Sequence, residues 1–203
     1  MEKRLNEAMR SRNDRRHRRG AGGFTLFELV VVMGIVGILT AIALPAMHRF
    51  VQNQQASSAA SALITDLNYA RSEAIKEDLS IAGGVGVSLC ASTGAGANPT
   101  CDTGNWLSGW IVLSPANAAP LQWVGVLPTG LTLTTTPANA SIVFQPNGTA
   151  PALTVGANGR VMFKLCDNRG ATSAREVEVS ANGIIQASPN PGLDVAGVAL
   201  TCP

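Results

Sequence analysis

The chain has 203 residues, 46% of them hydrophobic, 14% charged and 4% aromatic, which supplies enough apolar material for one modest domain plus an appendage. The formal charge of +2 conceals an asymmetry: residues 1–23 carry eight Lys/Arg against three acids (+5), and residues 24–203 carry seven against ten (−3). The only histidines are His17 and His48, both near the N-terminus. A histidine-rich zinc site or a Ser-His relay in the C-terminal part is therefore excluded.

Residues 10–19 are strongly cationic and lack apolar periodicity, so they predict a segment that orders only on a partner. From Phe24 to Met47 the single charge is Glu28. As a helix at ~1.5 Å per residue this stretch is about 36 Å long, enough to cross a bilayer. The basic flank keeps its N-terminal side in the cytoplasm and sends the rest of the chain to the other side. A cleaved secretory signal would end in an Ala-x-Ala-like site, which Leu44-Pro45-Ala46-Met47-His48 does not supply. An unpaired acid in a membrane helix costs ~2.5 kcal/mol or more, so Glu28 needs a partner. Gly34 and Gly37, three apart, could permit close approach of another helix.

After Pro45 the pattern turns amphipathic. Ala56, Ala60, Leu63, Ile64, Leu67, Ala70, Ala74 and Ile75 recur at mostly three- and four-residue intervals, with Asp66, Arg71, Glu73, Lys76 and Glu77 assigned to a solvated face. No Gly or Pro interrupts residues 46–82. One helix from about Phe24 to Asp78 is predicted, its first half for lipid or a fibre core and its second half for a soluble domain to pack on.

Beyond residue 79, short apolar runs alternate with Gly, Pro, Asn and Thr. Strands are predicted at 85–90, 110–113, 121–127, 131–135, 142–145, 161–166, 176–180 and 183–187, with turns at Pro146-Asn147-Gly148 and Asn182-Gly183. No connection is long enough for a helical crossover, so the strands are antiparallel. The fold class is α+β: a long N-terminal helix, membrane-spanning in its first half, packed against a C-terminal antiparallel β-sheet or β-sandwich domain. Trp106 and Trp110 flank an apolar strand and are read as core.

Cys90, Cys101, Cys166 and Cys202 all follow the apolar segment, on the side where disulfides persist. Of three possible pairings, Cys90 with Cys101 and Cys166 with Cys202 is favoured, because a Gly/Asn/Pro-rich loop without a strand signal separates the first two. Each bridge is worth roughly 3 to 4 kcal/mol in the chain-entropy account. A four-thiolate zinc site normally shows a C-x-x-C pair, which is absent, so no metal is assigned.

The junction Gly22-Gly23-Phe24-Thr25-Leu26-Phe27-Glu28-Leu29 resembles the prepilin motif of type IV pilins and type II secretion pseudopilins. The resemblance implies that a prepilin peptidase cuts after Gly23 and that Phe24 becomes the methylated N-terminus. It also implies that Glu28, the fifth residue after the cut, neutralises the N-terminal amine of an adjacent subunit, and that Pro45 is the family's helix-bending proline. Further along, the stretches Val87-Ser88-Leu89-Cys90, Trp106 to Leu113, Phe144 to Gly148, Leu165 to Gly170 and Ala174-Arg175 are similar to FimT/FimU-type minor pilins of the GspH/FimT family. Residues 1–23 are then a cleaved basic leader, 24–47 the transmembrane or fibre-core helix, 48–78 an amphipathic stalk and 79–203 an extracytoplasmic pilin domain. The implied role is a structural subunit that helps to initiate pilus assembly at the tip. Implied partners are minor and major pilins, the peptidase, the inner-membrane assembly platform and the inner membrane itself. The chain would cross that membrane once, with its C-terminal domain in the periplasm, before joining an extracellular pilus.

Gly83-Gly84-Val85-Gly86 lacks the strand-turn-helix setting of a dinucleotide site, and Asp167 and Glu176 read as solvated acids, so neither an enzyme activity nor a cofactor is assigned. A type II secretion pseudopilin is the alternative reading, and a DNA-capturing pilin the second. Some relatives carry a basic Gly-Arg-x-Arg near the C-terminus, where this chain has Gly183-Ile184-Ile185-Gln186. Both arginines are missing, and nucleic acid is disfavoured as a partner.

Overall fold

The computed structural model describes residues 23–76, 86–94, 99–102, 106–115, 120–138, 140–151 and 159–202. The expected leader up to Gly22, the expected helix end at Asp78 and the expected strand start at Val85 lie outside the described residues. The chain divides into two units, Met1–Ala46 and Met47–Pro203.

One helix, α1, spans Leu26–Lys76 and contains Pro45. It starts two residues later than expected, because Thr25 caps it: its Oγ1 accepts the Glu28 backbone N–H at 3.1 Å and its carbonyl that of Leu29 at 3.1 Å. The sequence Thr-x-x-Glu is a capping-box pattern. In the first unit every described residue is exposed, including Phe24, Leu26, Phe27 and Met33. The helix is long and apolar enough to cross a membrane.

Among its described residues the second unit has nine strands in two antiparallel sheets: β1 (Val87–Ser92), β2 (Cys101–Asp102), β3 (Trp110–Leu113), β4 (Gln122–Val124), β5 (Leu131–Thr136), β6 (Ile142–Phe144), β7 (Arg160–Asp167), β8 (Arg175–Ser180) and β9 (Ile185–Ala187). In the first sheet β1 is central. It pairs β3 along Ser88↔Leu113 to Ala91↔Trp110, while β6 and β2 follow one another on its opposite edge and β4 lies outside β3. The second sheet runs β5-β7-β8-β9. Alternation shows in β5, where Leu131, Leu133 and Thr135 point inward and the threonines between them point out. Inward residues of both sheets, such as Leu89, Trp110, Phe163 and Val177, form one core with the α1 stripe Ala56, Ala59, Ala60, Leu63, Leu67, Ala70 and Ala74.

Three details differ from the sequence expectation. The segment between Cys90 and Cys101 ends in strand β2, because a bridge with 5.5 Å between Cα atoms holds Cys101 at pairing distance from β1. Strand β4 stops at Val124, and Leu127 instead donates its N–H to Leu107 O at 3.2 Å. There the chain crosses Gly109, φ 90°, where a Cβ would collide with the carbonyls of Val124 and Gly125. Strand β9 begins at Ile185, since Asn182 and Gly183 close a turn in which Gly183 N–H donates to Ser180 O at 2.8 Å.

Candidate functional site

Gly23 and Phe24 precede the helix cap outside any helix or strand, and nothing lies within 4 Å of a Cβ built on Gly23. Glu28 sits in the first turn of α1, where a carboxylate is favoured by the helix dipole. Gly34 and Gly37 likewise have open space around them. The candidate processing and assembly residues thus lie on one accessible, apolar stretch of chain.

In the second unit, the residues assigned to the solvated face of the stalk divide. Asp66 is not solvated: it is 5% exposed, and its Oδ2 accepts the Trp110 indole N–H at 2.7 Å. Burial raises its pKa above the usual carboxylate range, and the Trp110 hydrogen bond opposes that shift only in part. Asp66 lies three residues after Leu63 and four before Ala70, so its position on the buried stripe was available from the helical period. Arg71 is half-buried and donates from Nε to Gly148 O at 3.0 Å. A Cβ on Gly183, φ 80°, would collide with the same carbonyl, so the two turns marked in the sequence meet against one helix arginine. Ile75, expected on the apolar face, is exposed.

The Leu165-to-Gly170 stretch also docks on the stalk. Arg169 pairs with Asp167 and donates from a terminal guanidinium nitrogen to Asn53 Oδ1 at 2.7 Å, while Gln52 donates to Asn168 Oδ1 at 3.1 Å. Burial alone would raise the pKa of Asp167, but hydrogen bonds from Arg169 and Ser173 and the guanidinium charge outweigh it and hold the carboxyl below the usual range. Asp167 is therefore an ion-paired anchor and not the solvated acid expected. Glu176 departs further from that expectation, being 3% exposed. Trp106 and Trp110 are core as read, Trp106 meeting Phe163 edge to face at 5.2 Å.

Disulfides join Cys90 to Cys101 and Cys166 to Cys202. Among the described residues no group of three or more His, Cys, Asp or Glu could hold a metal ion. A groove of about 400 Å³ opens between the stalk and the chain after β4, lined by Phe50, Val51, Gln54, Trp110, Val126 and Pro128 among others. None of its lining side chains is charged, so it offers apolar contact without acid–base groups. The sequence reading missed the groove because Val126 and Phe50 are far apart in the chain and each alone reads as an ordinary exposed apolar residue.

Residues 59–183 match the family model described as type II transport protein GspH, and residues 18–44 match the prokaryotic N-terminal methylation motif. The fold is similar to the crystal structure of the type IV minor pilin FimU of Pseudomonas aeruginosa. That match has 28% identity and a TM-score of 0.50, and covers 69% of this chain and 92% of FimU. Over 37 residues the chain is 57% identical to the fimbrial protein EcpC of Eikenella corrodens and 54% identical to a fimbrial protein of Moraxella nonliquefaciens. Those matches span 24% of the length of each of these relatives and 18% of this chain.

Proposed function

Because the chain belongs to the GspH family of pilin-like proteins, a structural family whose members assemble with other pilins in a pilus or pseudopilus, we propose that it is a minor type IV pilin that helps to initiate a pilus at its tip. The observation that carries this reading is the likeness to a minor pilin over 92% of that protein, joined to a methylation motif on the apolar helix. In this reading a prepilin peptidase cuts after Gly23. The new Phe24 amine is methylated, the apolar helix holds the subunit in the inner membrane with its β domain in the periplasm, and the assembly platform moves it into the fibre. Glu28 neutralises a neighbour's N-terminal amine within the helix bundle, where an unpaired charge would be costly. Pro45 removes one backbone hydrogen bond and lets the helix bend between its two halves.

Mass spectrometry of membrane-associated protein tests the first step, with methylated Phe24 as the expected N-terminus. Gly23→Leu should leave uncut precursor, and normal processing of that variant would overturn the motif assignment. Glu28→Ala should accumulate in the membrane yet be missing from sheared pili; unchanged incorporation would remove the pairing role. The family model's description also favours a second reading, a type II secretion pseudopilin. Wild-type protein in sheared surface pili supports the pilin, whereas a secretion defect on deletion with normal pili supports the pseudopilin.

A further inference from the structure

The chain after β9 returns over the second sheet. On β7 and β8 the side chains Val161, Phe163, Leu165, Val177 and Val179 enter the main core, so by alternation Lys164, Cys166, Glu176 and Glu178 occupy the opposite face. Residues 188–202 cross that face as a strap. Ser188 N–H donates to Glu176 O at 2.9 Å and Gly192 N–H to Ala174 O at 2.8 Å; Leu200 packs on Cys166 and Ala174, and the Cys166–Cys202 disulfide fixes the far end. Within the strap Leu193 bridges Ala199, and Asp194 Oδ1 accepts the Val198 N–H at 2.7 Å.

Two opposed residues hold it, one at its middle and one beside its disulfide-fixed end. Lys164 and Glu176 are register partners on β7 and β8. The Lys164 ammonium donates to Thr201 O at 2.7 Å, and the Glu176 carboxyl accepts the Val195 backbone N–H. Glu176 Oε1 is fully buried and has no hydrogen-bond partner among the described residues. The charged groups around it are Asp194 from the strap, Glu178 from its own strand and Lys164 from β7. Arg160, the other cation of this face, pairs with Glu178 at 3.3 Å. Gln186 of β9, opposite Glu178, is uncharged, and alternation turns Arg175 to the other face.

We propose that the strap is a pH-gated latch, closed over β7 and β8 while the Glu176 carboxyl is neutral and loosened in its middle when that carboxyl ionises. An ionised Glu176 would be a buried charge facing two other acids, with one backbone donor and a lysine already engaged elsewhere. Such a charge is expensive unless water reaches it. The strap is the cover that can move to admit water, because the disulfide retains its end. Burial first, then the charges of Asp194 and Glu178, raise the carboxyl's pKa above the usual range, against the pull of Val195 and Lys164. Closure is accordingly complete below the ordinary glutamate range and is lost as pH rises through the raised value.

Hydrogen exchange of the full chain in detergent micelles, corrected for intrinsic rates and read on the peptide carrying residues 192–200, tests this at pH 5 and pH 8. Protection of the strap should be lost from pH 5 to pH 8, in the direction set by the raised carboxyl pKa, while β7 and β8 stay protected. Glu176→Gln should keep its protection at pH 8. Asp194→Asn, which retains an oxygen for Val198 N–H, should move the loss to a different pH range. Three results would overturn the latch: pH-independent protection in the wild type, the same pH dependence in both variants, or a fall shared by the whole domain.

Discussion

At the scale of single residues, the Asp66–Trp110 pair decides how the stalk meets the first sheet. Trp110 is fully buried and its indole N–H requires an acceptor; Asp66 supplies one at the cost of desolvating a carboxyl. Because the folded pKa of Asp66 is raised, its favourable contribution is complete below the unfolded value and is lost as pH rises through the folded one. Glu176 has the same sign. Asp66→Asn keeps an oxygen for the indole and carries no charge, so denaturation should show equal or greater stability at neutral pH and a flatter profile toward acid. Asp66→Ala should lose about 1–3 kcal/mol, because it leaves the indole N–H buried and unpaired. Greater stability of the alanine variant at neutral pH would mean that the hydrogen bond has no net worth. Gly183→Ala should be destabilising by more than the ~1–2 kcal/mol of left-handed backbone strain, because its Cβ also meets Gly148 O. A midpoint unchanged from wild type would show that the two turns can separate at no cost.

At the scale of elements, what the sequence made legible follows from which signals are local. Strand periods put β3, β5 and β7 within a residue of their expected ends, and the two Asn-Gly turns lie where their dipeptides mark them. The α1 stripe was readable from its period, apart from Asp66, whose charge outweighed its position in the reading, and Ile75, which is exposed near the end of the described helix. What was not legible depends on contacts distant in sequence: the two-residue β2 held by a disulfide, the early end of β4 over Gly109, and the strap that buries Glu176. The candidate residues Gly23, Phe24 and Glu28 lie within one short motif at the head of the helix, so a local signal is enough to propose them. The two disulfides give a test at this scale. In the chain-entropy account, removing the bridge with sequence separation 36 should cost about 3.8 kcal/mol, and removing the one with separation 11 about 2.8 kcal/mol. Denaturant midpoints of the paired Cys→Ala variants measure the order, and a larger loss for Cys90/Cys101 would mean that β2 pairing, not loop closure, sets its value.

At the scale of the whole molecule, charge decides between a structural subunit and a nucleic-acid receptor. Residues 24–203 carry −3 overall, and from Asp78 onward four Lys/Arg face six acids. Three of those four cations are already engaged: Arg160 with Glu178, Arg169 with Asp167 and Asn53, and Lys164 with the Thr201 carbonyl. A phosphate would have to displace these partners, which lowers the return from each contact below that of a free cation. Even with all four on phosphates the salt slope would be only about −3.6, and affinity no better than the nonspecific range of ~10⁻⁴ to 10⁻⁶ M. Protein lacking residues 1–23, whose +5 charge would otherwise dominate, is the material to titrate by fluorescence anisotropy with labelled duplex DNA. Weak binding that vanishes at physiological salt is expected. Submicromolar binding at that salt would require a cationic surface that these pairings do not provide, and would put DNA capture ahead of pilus initiation.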